Sequence, residues 1–327
     1  MYKQSHRLVF ALLAALLVPS FLPAATASEN ESAEFRDAES IISRCEKAHR
    51  SLPYENYVVH ITLNGIESLR VSHGFVDSVP TTLMQSLNGL PNGVVNFNRQ
   101  IVYVESDDKF YSVGDSYFPN IFLRLLNSSA AEIRQRYDIY SLGQSRVADL
   151  IVDMLKLVPA DGFGYNLLLA VDQDSELVVQ LDVSDVTGSL VERFMTVNLN
   201  RTEGNPSALT DVIARIPSSL KQSAPARANE TLSWKLGWLP DNFFVVRTNR
   251  HAVFGSDASS EYMMISNKFT DISIYLTSHV TDISVPVLTL NATTIYRQRI
   301  SENLDIAVIG QIPPDMARTI TQSIVLE

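Results

Sequence analysis

The sequence predicts an α+β protein, mainly of antiparallel β-structure, in which a large sheet domain precedes a smaller C-terminal α+β domain. Between residues 137 and 199, apolar segments alternate with short turns, and strands with such brief connections must be antiparallel neighbours. The composition becomes polar between residues 201 and 229, which is typical of a linker. Short strand-like segments follow, and Pro313-Pro314-Asp315 is a favourable start for a final helix.

The first 27 residues have the features of a secretion signal. Lys3 and Arg7 provide a positively charged start, and a short apolar run from Leu8 to Leu17 follows. Ala25-Thr26-Ala27 places small residues at the two positions that a signal peptidase reads, which predicts cleavage after Ala27. The apolar run is too short to span a bilayer. We therefore expect an exported chain, and an uncleaved membrane anchor is the alternative.

A helix and several strands begin the large domain, residues 28–200. Apolar residues recur at helical spacing between residues 33 and 50, and this stripe includes Cys45, the only cysteine. Because a lone cysteine makes no intrachain disulfide, we expect Cys45 to be a small buried hydrophobe. Asn64-Gly65 between two strand-like segments predicts a hairpin. The predicted elements are strands at Tyr54–Ile61 and Ile66–His73, a helical turn at Thr81–Leu87, strands at Val94–Phe97, Ile101–Val104 and Lys109–Val113, and a short helix at Phe118–Leu126.

A meander completes the large domain. Its predicted strands are Tyr137–Leu142, Leu150–Val158, Phe163–Val171, Leu177–Val183 and Leu190–Leu199, and the first predicted turn is Gly143-Gln144-Ser145. Leu150–Val158 is apolar on both faces, whereas an antiparallel strand with one wet face alternates between apolar and polar residues. Either helices cover the second face, or an internal cavity there holds an apolar ligand.

A linker at residues 201–229 contains a short predicted helix, Ala208–Ile216, and leads to the small domain, residues 230–327. Strands are predicted at Phe243–Thr248, Glu261–Ser266, Ile272–Thr277, Leu288–Tyr296 and Leu304–Ile309. The final helix carries Met316, Ile320 and Ile324 one turn apart.

The sequence lacks the patterns of common catalytic and metal sites. A net charge of −10 without a basic stripe argues against a nucleic-acid partner. The six histidines lack metal-binding spacing, and one cysteine excludes every Cys-x-x-Cys site, so no metal and no cofactor is predicted. Gly114-Asp115-Ser116 loosely matches the nucleophile block of one esterase class, but no Asp-x-x-His follows it. We therefore predict no catalytic residue and interpret Ser116 as part of a turn.

Two groups of side chains are candidates for ligand binding. An apolar group on segments that fold over the sheet predicts a lipid site, because burying an acyl chain is favourable by about 0.8 kcal/mol per CH₂. Its members are Leu83, Met84, Leu87, Phe118, Phe122, Leu125 and Leu126, together with Arg124. Ordinary core packing is the alternative. A basic group, Arg124, Arg134, Arg136 and Arg146, offers planar guanidinium groups to a phosphate, and ion pairs with Glu132 and its neighbours are the alternative.

Five short sequence blocks occur in a fixed order behind the predicted signal. They are Tyr54-Glu55 with Gly65-Ile66-Glu67-Ser68-Leu69-Arg70; Tyr137-Asp138 with Gly143-Gln144-Ser145-Arg146-Val147-Ala148; Pro159-Ala160-Asp161; Trp234-x-x-x-Trp238-Leu239-Pro240; and Ile309-Gly310-Gln311-Ile312-Pro313-Pro314. With these blocks the chain resembles the RseB/MucB family, periplasmic regulators of the sigma-E envelope stress response. The resemblance covers nearly all of the mature chain.

The resemblance implies a fold and a function. The family's large domain is similar to the lipoprotein carriers LolA and LolB, an unclosed half β-barrel with covering helices and an apolar cavity. Its small domain grips the periplasmic region of the anti-sigma factor RseA, which the regulator shields from the site-1 protease DegS. Lipopolysaccharide fragments release the regulator. We accordingly expect partner binding by Trp234, Trp238, Arg247 and Arg250, and lipid A or another acyl ligand on the large domain.

Two other functions compete with this interpretation. A periplasmic lipoprotein or lipid carrier of the LolA/LolB type would use the same half-barrel, but it needs no second domain. A hydrolase would depend on Ser116. The sequence does not determine the oligomeric state, and a homo-oligomer is one alternative. The lipid prediction requires that the hollow of the sheet is not filled by the chain's own side chains.

Overall fold

The structure is a computed structural model that describes residues 27–97, 100–112, 118–220, 229–252, 259–278 and 286–327. Its helices are α1 (Ala27–Ser51), α2 (Ile121–Asn127), α3 (Ala130–Arg136), α4 (Ser207–Arg215) and α5 (Pro314–Gln322). The predicted signal segment up to residue 26, and Ser116, lie outside the described residues. Among the described helices, none combines the length and the apolar composition needed to cross a membrane.

One antiparallel sheet forms the large domain. Its strands are β1 (Tyr54–Thr62), β2 (Gly65–Val76), β3 (Val79–Ser86), β4 (Gly93–Phe97), β5 (Gln100–Glu105), β6 (Lys109–Ser112), β7 (Tyr137–Val147), β8 (Leu150–Pro159), β9 (Asn166–Asp172), β10 (Val178–Ser184) and β11 (Leu190–Arg201). The spatial order is β6-β5-β4-β3-β2-β1-β11-β10-β9-β8-β7. The edge strands β6 and β7 do not pair with each other within the described residues, so the predicted unclosed sheet is confirmed.

The two faces of this sheet have different cover. We call the face under α1, α2 and α3 the inner face, where Leu155 of β8, Leu169 of β9 and Leu181 of β10 are paired neighbours in the core. We call the opposite face the outer face, where α4 packs its Leu209 and Val212 against β3, β4 and β5. The outer face of β8 carries a small cluster in which Val152 packs with Ala170 of β9 and Val179 of β10. This cluster contains strand residues and no helix residue, so neither of the two explanations for the apolarity of β8 is confirmed.

The small domain combines two sheets and a helix. Its strands are β12 (Trp234–Leu236), β13 (Phe244–Ala252), β14 (Ser259–Ser266), β15 (Asp271–Ser278), β16 (Val287–Leu290), β17 (Thr293–Ser301), β18 (Leu304–Gly310) and β19 (Ile324–Leu326). Six of them form the order β13-β14-β15-β18-β17-β16, and β12 pairs with β19. Helix α5 buries Met316 and Ile320 against this sheet, as its apolar spacing predicts. The third predicted member, Ile324, is not on the helix, because α5 ends at Gln322 and Ile324 begins β19, which pairs with β12.

Three further local predictions were wrong. Thr81–Leu87 is not a helical turn, because Val79–Ser86 pairs on both sides with β2 and β4. Gly143-Gln144-Ser145 is not a turn, because β7 continues through it with an irregularity, and the chain reverses at Ala148 and Asp149, both at positive φ. Leu288–Tyr296 is two strands, because the chain reverses at Asn291, whose φ is 56°.

Candidate binding site at the inner face and the domain junction

Beneath α1 and α2, the inner face is filled by the chain's own side chains. Phe122 and Leu123 of α2 and Ile41 and Ile42 of α1 are almost fully buried there. The apolar cavity that remains between α1, α2, α3 and the sheet has a volume of about 30 Å³. That is about the share of one water molecule in the liquid. An acyl chain therefore has no room beneath these three helices unless they move.

Helices α2 and α3 begin where side chains cap them. The Asn120 side chain accepts a hydrogen bond of 2.8 Å from the backbone N–H of Leu123. Ser129 and Glu132 form a capping box at the start of α3. These caps satisfy backbone donors at the first turn of each helix. The caps therefore stabilise the two short helices that lie over the inner face.

The predicted lipid group is only partly brought together. Met84, Phe122, Leu125 and Leu126 are buried in the inner-face core, and Phe118 packs against it. The side chains of Leu83 and Met84 point to opposite faces because they are adjacent on a strand. Leu83 lies in the outer cluster under α4. Leu87 lies beyond the end of β3 and is 47% exposed.

The basic group is also divided. Arg124 and Arg136 are buried, and they pair with Asp271 and Asp161 respectively. Arg146 is exposed and pairs with Asp149. Arg134 is exposed and donates a hydrogen bond to the Ser43 hydroxyl. Three of the four arginines therefore form ion pairs, although none of their acidic partners is Glu132.

Buried polar contacts join the two domains. Nη2 of Arg124 lies 2.5 Å from Oδ2 of Asp271, and the Arg124 guanidinium also lies 4.9 Å from the centre of the Phe118 ring. The hydroxyl of Tyr165 donates to the carbonyl of Ile312 at 3.1 Å, and burial raises the pKa of this hydroxyl to about 12. The small domain is thus fixed against α2 and β9 by directional bonds. No sequence pattern pairs residues as distant as 124 and 271.

Apolar rings extend the same junction. Phe163 precedes β9 and contacts Trp238 with ring centres 5.3 Å apart. Phe269 of the small domain meets Tyr137 of β7 edge to face at 5.3 Å. Phe269 belongs to the inner-face core rather than to the core of its own domain. The two domains therefore share apolar surface as well as hydrogen bonds.

The predicted partner-binding residues occupy three different environments. Trp234 is 2% exposed and lies in the core of the small domain. Trp238 lies at the domain junction against Phe163. Arg247 is half-buried and Arg250 is exposed, both on the edge strand β13, where Arg250 pairs with Glu261 at 2.9 Å. Of the four, only the two arginines on β13 are charged and at least partly exposed.

A cluster of buried rings, which sequence reasoning did not group, supports the end of α1. Nδ1 of His49 lies 2.9 Å from the Tyr54 hydroxyl, and the His49 and His73 rings are 4.1 Å apart. Nδ1 of His73 lies 2.9 Å from the Thr82 hydroxyl. Burial holds the pKa of His49 well below its usual value and lowers that of His73 to about 4. Both imidazoles are therefore neutral near pH 7.

Among the described residues, no three His, Cys, Asp or Glu side chains are placed to hold a metal ion.

Comparisons with known proteins match both domains. The family described as the MucB/RseB N-terminal domain matches residues 37–223, and the MucB/RseB C-terminal domain matches residues 228–325. The sigma-E factor regulatory protein RseB of Salmonella typhimurium is 26% identical over 289 residues, which cover 87% of this chain and 89% of that protein. RseB of Escherichia coli K12 is 25% identical over 290 residues, which cover 87% and 89%.

Solved structures agree with the fold. The crystal structure of MucB in complex with MucA(peri) has a TM-score of 0.65 and 19% identity, and the match covers 89% of this chain and 99% of that one. The complex structure of Pseudomonas aeruginosa MucA/MucB has a TM-score of 0.67 and 18% identity with the same coverage. At this level of identity the likeness concerns the fold.

Proposed function

The chain belongs to the MucB/RseB family, and on that premise we propose that it binds the periplasmic region of an RseA-like anti-sigma factor. Binding would shield that region from regulated proteolysis and so restrain sigma-E signalling. The observation that carries the proposal is the presence of both family domains in one chain, docked through the buried Arg124–Asp271 pair. The solved complexes of MucB with MucA add support, since their MucB chain shares this fold.

Calorimetry tests this proposal directly. The mature chain, residues 28–327, is titrated with the purified periplasmic region of the anti-sigma factor from the same genome. Saturable binding is the expected result of the titration. In a separate digestion with the site-1 protease, the bound region should be cleaved more slowly than the free one. Absence of binding would overturn the proposal.

The contact residues are tested with single variants. Arg247→Ala and Arg250→Ala change charges on the edge strand β13, and both should weaken binding. Arg318→Ala is the matched control, because Arg318 is half-exposed on α5 and pairs only with the nearby Asp315 among the described residues. Trp234→Ala is a poor probe of contact, since removing a core indole costs about 3–5 kcal/mol of stability. If Arg247→Ala and Arg250→Ala bind the partner with the same affinity as the control Arg318→Ala, partner binding cannot be assigned to β13.

The lipid branch of the proposal requires a conformational change. We propose that an acyl ligand reaches the inner face when α2 and α3 move off the sheet, and that lipid and partner are reciprocally antagonistic. Reciprocity follows because a ligand shifts an equilibrium only by its different affinity for the two states. The short length of both helices and their position over an apolar face support this mechanism. Titration of the partner with and without lipid A should give a lower affinity with lipid, and equal affinity would contradict release.

The chain is proposed to work in the periplasm. The basis is the segment Lys3 to Ala27, which has the order of a cleaved secretion signal. N-terminal sequencing of protein from a periplasmic extract should begin at Ser28. An intact N-terminus in the membrane fraction would contradict cleavage.

A further inference from the structure

A second, larger cavity lies between the two domains. Its volume is about 240 Å³, and the inner face of the large sheet forms one wall. The β16–β17 hairpin of the small domain, residues 290–293, and the residues before α2 form the other walls. It is separate from the small apolar cavity under α1, and of the predicted lipid group it includes only Met84.

One end of this cavity is acidic. Glu192 of β11 is 2% exposed, and its Oε2 lies 3.0 Å from Nε2 of His60. The His60 ring is stacked on Phe194 at 4.0 Å, which fixes its position. Oε2 of Glu67 lies 4.0 Å from Nδ1 of His60, and the Glu67 side chain is 45% exposed. One carboxylate therefore lies deep in the cavity and another lies near solvent.

The remaining lining is apolar or uncharged. Leu69, Met84 and Val94 provide aliphatic surface on the sheet side, and Leu290 provides it on the hairpin. Among the described lining residues the one basic side chain is His60, which lies between the two carboxylates, and there is no lysine or arginine. The cavity therefore combines an aliphatic wall with a negatively charged end.

Long basic side chains have the complementary chemistry. Lysine and arginine place a charged head at the end of an aliphatic stem that packs on apolar surface. The volume is below the roughly 300–1,000 Å³ that is usual for small-molecule pockets, and it suits one such side chain. An ionic contact with Glu192 would form where water is largely excluded, and there it is stronger than at the surface.

We propose that this cavity receives a lysine or arginine side chain of the bound partner peptide. The inference rests on the proposed function, because the peptide is the periplasmic segment of the anti-sigma factor. Glu67 attracts the cation at the exposed side, and Glu192 binds it at the buried end. Since both domains line the cavity, an inserted side chain also stabilises their arrangement.

The experiment compares two glutamine variants with a control. Glu192→Gln should weaken binding of the periplasmic segment at least about tenfold, and Glu67→Gln should weaken it less, because Glu67 is more exposed. Glu203→Gln, an exposed acid outside the cavity, should leave the affinity unchanged. Each lysine and arginine of the segment is also replaced by methionine. One replacement should reproduce the Glu192→Gln loss and should add little to it when the two changes are combined.

The possible results distinguish a failure of the cavity assignment from a failure of the proposed partner binding. Normal binding by the original chain with unchanged affinity in both glutamine variants would overturn the cavity assignment alone. Absence of binding by the original chain would overturn the proposed function and this inference with it. If Glu192→Gln fails to fold, as a thermal melt would reveal, Glu67→Gln and the methionine scan of the segment still decide. In that case, no loss in either would overturn the inference.

Discussion

Arg124 of α2 and Asp271 of β15 form an ion pair across the domain junction, with their side chains 6% and 3% exposed. The pair connects a helix that covers the inner face to the central region of the small domain's sheet. If one member of a buried ion pair is removed, the charge of the other stays buried without a partner and without water, which destabilises the fold. The pair therefore links the packing of the two domains.

We expect Arg124→Met to lower the free energy of unfolding by about 3–5 kcal/mol, because Asp271 would remain buried without its cation. The double variant Arg124→Met/Asp271→Leu should be less destabilised than either single variant. Urea denaturation followed by circular dichroism measures all three. Additive losses in the double variant would contradict coupling between the two side chains.

The matched control is the exposed pair Arg201–Asp174, whose side chains are 53% and 79% exposed. Arg201→Met should change the free energy of unfolding by less than about 1 kcal/mol, because surface ion pairs are screened by water. A loss equal to that of Arg124→Met would indicate that burial is not the cause.

Stability should fall as the pH falls below about 6.5, because His49 and His73 are buried in the neutral form. Their folded-state pKa values are depressed, so as the pH falls the unfolded chain binds protons first and is stabilised relative to the folded chain. For His73 the loss accumulates from its unfolded pKa down to about 4. Inside that window the loss from His73 is about 1.4 kcal/mol per pH unit. His49 adds a loss of the same sign.

His73→Leu tests this assignment. Urea denaturation of the original and variant chains at pH 7.5, 6.0 and 5.0 should show a shallower pH dependence in the variant, since one linked proton has been removed. Carboxylates titrate equally in both chains, so the difference isolates the histidine. Parallel pH profiles would exclude His73 as a source of acid sensitivity.

Cys45 should be chemically unreactive in the folded chain. It is partly buried and packs against the inner-face core, and the loss of solvent around its thiol raises the pKa to about 12. Thiolate is the reactive form, so at pH 8 alkylation by iodoacetamide should be about a thousandfold slower than in urea. Mass spectrometry of timed samples measures both rates. Comparable rates would show that the thiol is accessible, contrary to the buried hydrophobe that the sequence predicts.

Gly74 of β2 leaves space for the side chain of Asn205, which donates to the Phe75 carbonyl at 2.6 Å and accepts from the Phe75 N–H at 2.7 Å. A Cβ at position 74 would overlap this amide and crowd Leu209 of α4. We expect Gly74→Ala to lower the free energy of unfolding by about 1–3 kcal/mol. Gly204→Ala, with no atom within 4 Å of the added carbon, should have little effect, and similar melting of the two variants would contradict the overlap.

Local signals in the sequence predicted most elements of the fold. Asn64-Gly65 marked the first hairpin, and the apolar spacing of Leu209, Val212 and Ile213 marked α4. The error at Thr81–Leu87 has a tertiary cause. Leu83, Met84 and Leu87 match helical spacing by themselves, but pairing with β2 and β4 places the segment in the sheet.

The candidate sites were harder to predict because they join distant parts of the chain. Arg124 was selected as a phosphate ligand from its basic neighbours, whereas its partner Asp271 lies in the other domain. Glu192 and His60 are likewise brought together by the pairing of β11 with β1, for which no local pattern exists. The sequence thus indicated the type of side chain at these positions but not the acid or base that it meets.

The pairing of β1 with β11 has a consequence for how fast the native structure forms. Strands β1–β6 and β7–β11 are each built by neighbours in sequence, but the seam between them places Tyr54 opposite Arg201. Contacts between such remote residues are slow to form, because a long loop must close before they stabilise anything. We therefore expect each half to acquire its strands early, with the joining of the halves as the slow kinetic step of folding.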